Sequence, residues 1–368
     1  MDDRERLILL NLIPDIGSLR ARRLLEAFGT LRELFGAPEE LLRHVDGIGP
    51  VLARRITAYC RNPKLLSEEL RLAKQACCAI LTQLDADYPT PLRQIPDPPL
   101  VLYMMGQWRD EDQTAVAIVG SRRATLYGQH VAQRLAYDLA IRGVTVVSGL
   151  ARGIDGAAHQ GALKARGRTL AVLGNGLASI YPPEHKGLAE EITAHGAMLS
   201  ELPMRMEPLA QNFPRRNRLI SGLSLGVVIV EAAKRSGALI TADAALDQGR
   251  EVFAVPGKVD SMASQGTHQL LKQGARLVTS VDDILEELRL VSRAVGVAQP
   301  SSPSRAVEGA TDDERALFNS LSTDDPSDLD QLAAKTNLPA ATCAALLLGL
   351  ELKRLVKQLP GKRFIRHA

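Results

Sequence analysis

The chain has 368 residues, of which 45% are hydrophobic and 24% charged, a balance that predicts two or three globular domains and excludes global disorder. Its formal net charge of +3 excludes an overall basic field, so any nucleic acid would have to be bound by local patches. The four cysteines show neither metal-ligand spacing nor the even ladder of a secreted scaffold, which predicts a reducing, cytoplasmic location. No signal peptide or membrane span is expected, because the N-terminus is charged and the apolar stretch 223–233 is short.

Residues 1–79 are rich in leucine and arginine at helical spacing and contain an internal repeat. Residues 16–23 and 48–55 match at an isoleucine, a glycine, an alanine and two arginines. Each copy is typical of a helix-hairpin-helix element, in which the glycine allows a close backbone approach to a phosphate. Such helices equally pack together or dock a protein, and the sequence does not decide between these functions. We therefore predict a helical, helix-hairpin-helix or SAM-like domain at 1–79.

The uninterrupted apolar run 115–119 predicts a strand that is buried on both faces of a parallel sheet. It ends at Gly120 and Ser121, which permit a tight turn, and a helix is predicted over 127–142. Arg122 and Arg123 place two forked guanidinium donors in that turn, and such donors suit phosphate oxygens. The turn is therefore a candidate anion-binding site.

A second strand, turn and helix of the same kind follows directly. The β-branched run 144–147 leads into a turn that contains Gly149 and Arg152, and a helix is predicted over 154–166. Further strands alternate with helices as far as residue 290, and they are predicted at 169–173, 197–200, 226–230, 251–255 and 276–278. We therefore predict an α/β domain at 80–290 with a doubly wound sheet, whose ligand lies beyond the carboxyl ends of the strands.

The run of residues 213–218 opens another predicted helix with three arginines, Arg215, Arg216 and Arg218, around Asn217. A basic first turn is unfavourable beside the positive end of a helix, so an anionic partner explains these side chains better than helix stability does. The alternative is a solvated or carboxylate-paired surface. Phe213 is a candidate stacking platform for an unpaired base and equally a candidate core residue.

The last part of the chain predicts a linker and a small separate domain. Residues 291–311 contain few charges and a run of proline and serine, as in a linker. Residues 312–368 predict three helices, at 314–321, 329–336 and 339–355, and a basic hairpin at 356–366. This pattern is similar to a winged-helix domain. The third helix begins without Arg, Asn or Gln, so protein docking or structural support is favoured over reading of a DNA sequence.

Taken together, these motifs resemble the DprA/Smf family of DNA-processing proteins, and the resemblance covers nearly the whole chain. The resemblance depends on the two strand-turn-helix segments, the run at 213–218, and residues 97–103, 236–242, 249–253 and 255–257. The resemblance implies an extended Rossmann-like central domain that forms a homodimer. It also implies a non-enzymatic protein, without metal or cofactor, that binds single-stranded DNA. Such a protein protects incoming DNA and loads RecA recombinase during natural transformation.

The family's DNA-binding residues can be carried over only to positions of this chain that match its motifs. They fall on Gly120, Ser121, Arg122, Arg152, Phe213, Arg216, Asn217 and Arg218. We add Gly149 to this predicted site because it belongs to the second turn, and we add Arg123 and Arg215 because of their charge alone. Family members often have a lysine just before the Phe-Pro pair, where this chain has Ala210 and Gln211. Arg215 is expected to supply that charge.

Two other functions stay open. The second turn is also similar to nucleotide phosphoribohydrolases, which carry a Gly-Gly turn and a catalytic glutamate that residues 231–239 lack. Glu231 is instead expected to pair with nearby arginines. The third possibility is a duplex-DNA or structure-specific repair factor that binds through its N-terminal hairpins.

Overall fold

The computed structural model describes residues 1–290, 312–321, 327–336, 338–352, 355–359 and 363–366. The chain divides into two compact units, Met1–Val295 and Gly296–Ala368. The predicted linker at 291–311 lies outside the described residues. Across the described part of the chain, no helix is both long and apolar enough to cross a bilayer.

The first unit begins with a helical region whose local signals are clear. Its helices are α1 Asp3–Leu12, α2 Ser18–Phe28, α3 Leu31–Gly36, α4 Glu39–Leu42, α5 Pro50–Cys60 and α6 Pro63–Gln75. Gly17 precedes α2 and Gly49 precedes α5, so the internal repeat begins a helix at the same position in each copy. The two copies are joined reciprocally: Arg55 contacts Asp15 at 2.5 Å, and Arg23 contacts Asp46 at 2.8 Å.

Within the described residues, nine strands form the central sheet in the order β1-β2-β6-β5-β4-β3-β7-β8-β9. The strands are β1 Ala79–Thr82, β2 Val101–Gly106, β3 Ala115–Val119, β4 Thr145–Ser148, β5 Thr169–Val172, β6 Ala197–Ser200, β7 Gly226–Ile229, β8 Glu251–Ala254 and β9 Arg276–Leu277. The seven strands from β6 to β9 in this order are parallel, whereas β1 and β2 are antiparallel to their neighbours. The predicted α/β fold is confirmed, and the antiparallel pairing of β2 with β1 and with β6 makes the sheet mixed.

Helices cover both faces of the sheet, and they are α7 Thr90–Arg93, α8 Leu126–Ile141, α9 Ile154–Lys164, α10 Lys186–His195, α11 Asn212–Gly222, α12 Gly237–Asp247, α13 Gln265–Lys272 and α14 Val281–Glu287. All five residues of β3 are buried, as its apolar run predicts, because separate core clusters pack on its two faces. From β3 the chain proceeds to β4 on one side and later returns to β7 on the other. The loops after β3 and β7 therefore diverge and leave a crevice at this switch point.

The helical region packs directly on the central sheet. One core cluster contains Leu7 and Ile8 of α1 together with Ala171 of β5 and Met198 of β6. The buried carboxylate of Glu69 in α6 also accepts a hydrogen bond from the backbone N–H of Met204, at 2.7 Å. Apolar contacts and a buried hydrogen bond thus hold the hairpins against the sheet.

The second unit has the winged-helix pattern expected from its sequence. Its elements are α15 Asp312–Ser320, β10 Ser327–Asp328, α16 Leu329–Thr336, α17 Ala340–Leu352, β11 Val356–Leu359 and β12 Arg363–Arg366. Leu317, Leu332, Cys343 and Leu347 meet in its core. Helix α17 presents no arginine, asparagine or glutamine in its first turn. The predicted basic turn of the hairpin, residues 360–362, lies outside the described residues.

Candidate nucleic-acid interface

A cavity of about 640 Å³ opens at the switch point between β3 and β7. It is lined by residues from the turn after β3, the turn after β4, the start of α11 and the start of α12. Of the predicted site residues, the lining contains Gly120, Ser121, Arg122, Arg123, Phe213, Arg216 and Asn217. The fold therefore brings together residues that are nearly a hundred positions apart in sequence.

Backbone contacts fix the turn after β3. The N–H of Ser121 donates a hydrogen bond to the carbonyl of Glu231 at 2.8 Å, which ties this turn to the end of β7. The Ser121 hydroxyl accepts a hydrogen bond from the N–H of Arg123 at 3.1 Å. Gly153 has a φ of +75° and lies against the Ser121 carbonyl, where a Cβ atom would collide. The turn that carries Arg122 and Arg123 is thus held from two sides.

Arg122 and Phe213 form a cation–π pair inside the cavity. The guanidinium carbon lies 4.8 Å from the ring centroid. The ring of Phe213 can lie close to the backbone because residue 174 is glycine: a Cβ atom there would be 2.8 Å from the ring. Phe213 is half-buried and faces the cavity, so it contributes to the cavity wall as well as to packing.

Tyr181 belongs to the same wall and is not among the site residues predicted from the sequence. Its ring centroid lies 5.7 Å from that of Phe213, and the two rings are tilted by 44°. Tyr181 also lines the cavity. The signal available in the sequence was an aromatic residue in the loop that follows β5. Such loops lie at the same edge of the sheet as Gly120 and Gly149.

Arg216 forms the floor of the cavity, where it is 4% exposed. Its guanidinium donates to the carbonyl oxygens of Gly149, at 2.9 Å, and Val172. Burial lowers the pKa of Arg216 to about 10, although the nearby Asp155 carboxylate raises it. Burial likewise raises the pKa of Asp155, and Arg216 opposes that shift. At neutral pH Arg216 is therefore a buried cation beneath the site.

Gly149 has a packing role at this floor. A Cβ atom at this position would lie 2.5 Å from a nitrogen of Arg216 and 2.6 Å from a carboxylate oxygen of Asp155. Only glycine leaves room for both charged side chains beneath the turn. The predicted site residue Gly149 thus acts by making space for Arg216.

Arg122 and Arg123 are both exposed, and within the described residues neither forms a salt bridge. Asn217 lies beside them and donates to the carbonyl of Gly237 at 3.2 Å, which connects the starts of α11 and α12. The cavity therefore presents two guanidinium groups that form no salt bridge among the described residues, over a buried third one, that of Arg216.

Arg215 and Arg218 contact a different cavity, of about 560 Å³, between α11 and the first hairpin. Arg218 contacts Asp97 at 2.9 Å and also Glu201, and it is only 11% exposed. Arg215 contacts Glu201 at 3.5 Å and lies against Gly17. Both are paired with carboxylates, and Arg215 also connects α11 to the helical region through its contact with Gly17. Arg215 does not line the cavity that contains Ala210, so its charge does not replace the lysine expected there.

Arg152 lies at the rim and is already paired. Its guanidinium forms a salt bridge with Glu184, and both side chains are about half exposed. The hydrogen bond with Glu184 raises the pKa of Arg152, and the same bond lowers the pKa of Glu184. Arg152 would therefore meet a phosphate in competition with Glu184, at a position next to Ala151, which lines the cavity.

Among the residues that the structure describes, Glu231 pairs with no arginine, and that expectation was wrong. Its carboxylate accepts hydrogen bonds from the backbone N–H of Thr125 at 2.9 Å and from the Thr125 hydroxyl at 2.5 Å. Gly128 leaves space for this carboxylate, which a Cβ atom would fill. A negative charge at the first turn of α8 is favoured by the helix dipole. Glu231 therefore joins β7 to α8.

The fold and the cavity define an extended Rossmann-like protein with a cationic crevice at its switch point. The chain belongs to the DprA/Smf family: the family model described as DNA recombination-mediator protein A matches residues 79–289. The DprA winged helix domain matches residues 300–362, and a helix-hairpin-helix motif matches residues 7–67. The predicted family and the predicted fold class are both confirmed.

Relatives and solved structures agree with this assignment. The chain is 43% identical to Protein Smf of Escherichia coli K12 over 279 residues, 74% of each chain. It is also similar to the X-ray structure of DprA from Streptococcus pneumoniae, with a TM-score of 0.67, 33% identity, and coverage of 77% of this chain and 97% of that chain. A DprA structure from Helicobacter pylori, described by its single-stranded DNA binding mode, matches with a TM-score of 0.52 and 30% identity. It covers 58% of this chain and 96% of that chain.

Proposed function

We propose that this protein binds single-stranded DNA in the cavity at the switch point, without reading its sequence. The observation that carries the proposal is the arrangement of Arg122 and Arg123, which are exposed and unpaired among the described residues, beside the half-buried ring of Phe213. Guanidinium groups bind phosphates, and aromatic rings stack on bases of any identity. The description of the Helicobacter pylori structure supports the same ligand for this chain.

The geometry suggests how the free and bound states exchange. In the free protein the Arg122 guanidinium covers the face of Phe213. A base that stacks on this ring takes the position of the guanidinium, which is then free to contact the adjoining phosphate. Arg216 raises the positive potential from below, but its side chain is engaged with the backbone of two strand ends. Its contribution is therefore electrostatic rather than a direct phosphate contact.

A binding protein fits this site better than a hydrolase. The buried carboxylate of Glu231 is engaged by Thr125, and that of Asp155 accepts a hydrogen bond from the backbone N–H of Ala151. Neither group is arranged as a general base for a substrate in the cavity. We therefore propose that the chain acts on DNA by binding and not by catalysis.

Competition binding tests this proposal. A fluorescently labelled single strand is titrated with the full chain, and unlabelled single-stranded or duplex competitor of the same length is added. The single strand should displace the label far more effectively than the duplex. Equal competition by the duplex would support a duplex-DNA factor instead. Release of free base from a nucleoside monophosphate, measured by chromatography, would support the phosphoribohydrolase alternative.

The wider role that we propose is protection of incoming single strands and loading of RecA recombinase during natural transformation. The family description as a recombination mediator supports this role. In the test, RecA-catalysed strand exchange is followed on DNA already coated with a single-strand-binding protein. Addition of the full chain should shorten the lag before exchange begins. An unchanged lag, with normal DNA binding, would reject the loading role alone.

We also propose that the chain forms a homodimer through its central domain and works in the cytoplasm. Strand β9 lies at an edge of the sheet, and Leu277 on this strand is 53% exposed, which supports an edge contact. Sedimentation of the full chain and of Leu277→Glu tests the dimer. The domain boundaries 1–79, 80–290 and 312–368 belong to the same proposal, and limited proteolysis should cut between 291 and 311 first.

A further inference from the structure

The cavity wall contains a second aromatic ring, which does not belong to any of the predicted site residues. Tyr181 is half-buried, lines the cavity and lies 5.7 Å from Phe213 between ring centroids. Pairs at this distance are common in protein cores, where both rings are enclosed. Here both rings border an open cavity of about 640 Å³, which leaves aromatic surface available to a ligand.

The tilt between the two rings determines how many bases can stack on them. The two planes differ by 44°, so one flat base cannot stack on both rings. Each ring therefore offers its own direction of stacking. Two bases that follow one another on an unpaired strand can adopt such different directions, because no duplex holds them parallel.

An arginine covers one of the rings, and a second arginine lies at the rim. Arg122 covers Phe213 at 4.8 Å. Arg152 forms its salt bridge with Glu184, and Tyr181 adds to the rise that Glu184 causes in the pKa of its guanidinium. The cavity and its rim thus offer two rings and two cations, and one nucleotide supplies one base and one phosphate.

We propose that Tyr181 is a second base-stacking residue, so that the cavity takes two successive unpaired bases, one on Phe213 and one on Tyr181. This inference rests on the proposed binding of single-stranded DNA and specifies how many bases are held there. The proposal also gives Arg152 a role. When its guanidinium separates from Glu184, it can contact the phosphate of the second nucleotide.

The experiment uses strands of abasic sugar-phosphate that carry no base, one base, two adjacent bases or two bases separated by an abasic residue. Because the protein selects where it binds on each strand, no fixed register is needed. Affinity of the full chain should rise about tenfold with the first base and about tenfold again with an adjacent second base. Separation of the two bases should reduce the second gain.

The variants Tyr181→Leu and Phe213→Leu each keep an apolar side chain but remove one ring. Each should retain the gain from one base and lose the gain from the second, and the double variant should lose both. Tyr181→Phe should behave as the unaltered chain. Tyr137→Leu on α8, where the tyrosine is 41% exposed and does not line the cavity, is the matched control.

The outcomes separate this inference from the proposed function. If the unaltered chain binds strands but gains nothing from a second base, or if Tyr181→Leu keeps both gains, the inference is overturned and the binding function stands. If no strand binds at all, the binding function itself fails. Thermal unfolding of each variant shows whether a lost gain comes from the site or from loss of the fold.

Discussion

The arginines around α11 divide into two groups with opposite environments. On one side, Arg122 and Arg123 line the switch-point cavity, and within the described residues no carboxylate pairs with either. On the other side, Arg215 and Arg218 contact Glu201, and Arg215 also lies against Gly17 of the N-terminal region. Side chains of the same type therefore have different roles in the turn after β3 and on α11. The availability of a charge, and not its presence in the sequence, decides whether it can bind an anion.

The comparison also separates two kinds of consequence for mutation. An unpaired surface arginine contributes little to folding, so its loss should affect binding alone. A buried arginine that neutralises a buried carboxylate contributes to folding, so its loss should affect stability first. Four experiments test this division, beginning with the largest expected effect.

The first experiment removes a paired arginine. Arg218→Ala leaves the carboxylate of Glu201, 5% exposed, without its strongest partner, and should lower the free energy of unfolding by about 3–5 kcal/mol. Affinity for single-stranded DNA should stay within about twofold, because Arg218 does not line the switch-point cavity. Urea unfolding followed by circular dichroism gives the stability.

The control for Arg218 is Arg205→Ala, which removes an exposed arginine that contacts Glu68 at 3.3 Å. An exposed pair of this kind should change stability by no more than about 0.5 kcal/mol. A stable Arg218→Ala variant that loses DNA binding would contradict the division into two groups.

The second experiment reverses the charge of an unpaired arginine. Arg122→Glu removes a phosphate contact and the cation that covers Phe213, and it adds repulsion. We expect affinity for single strands of any sequence to fall about a hundredfold, or about 2.7 kcal/mol. Fluorescence anisotropy at one fixed salt concentration measures the loss, and urea unfolding should be unchanged. Arg32→Glu, the same charge change on exposed α3, should bind normally.

The third experiment counts the phosphates that the cavity neutralises. If Arg122, Arg123 and Arg152 each meet one phosphate, the logarithm of affinity should fall with the logarithm of salt at a slope of about −2 on single strands. Arg123→Ala should make this slope shallower by about 0.7, and Arg215→Ala should leave it unchanged. An equal change of slope in both variants would place Arg215 in the DNA path after all.

The fourth experiment removes the carboxylate partner of Arg152, which is paired like the second group of arginines but lies at the cavity like the first. Arg152 lies at the rim of the cavity but is paired with Glu184 on an exposed surface. Glu184→Gln removes that competitor, so affinity for single strands should rise about threefold. Glu190→Gln on α10 removes an exposed negative charge nearby in sequence and is the control. Unchanged or weaker binding by Glu184→Gln would show that Arg152 does not contact DNA.

Much of the fold could be predicted because its signals are local. The apolar run of β3 and the spacing of α8 and α9 predict these elements to within two residues. The antiparallel pair β1-β2 was not predicted strand by strand, because the two strands are separated by α7 and pair across the chain rather than by a repeating local pattern. Tyr181 was not predicted either: its place in the loop after β5 indicates the edge of the sheet at which it lies, but not that its ring meets that of Phe213.

The sequence by itself determined the elements, the family and the small turns at which the strands end, since these depend on residue type and near-neighbour spacing. It also determined that Arg215, Arg216 and Arg218 lie together at the start of one helix. Only the tertiary structure decided which face meets the cavity and which meets Glu201 and Asp97. The reason is physical: whether a charge is free, buried or neutralised depends on groups that folding brings near it, and those groups come from distant parts of the chain.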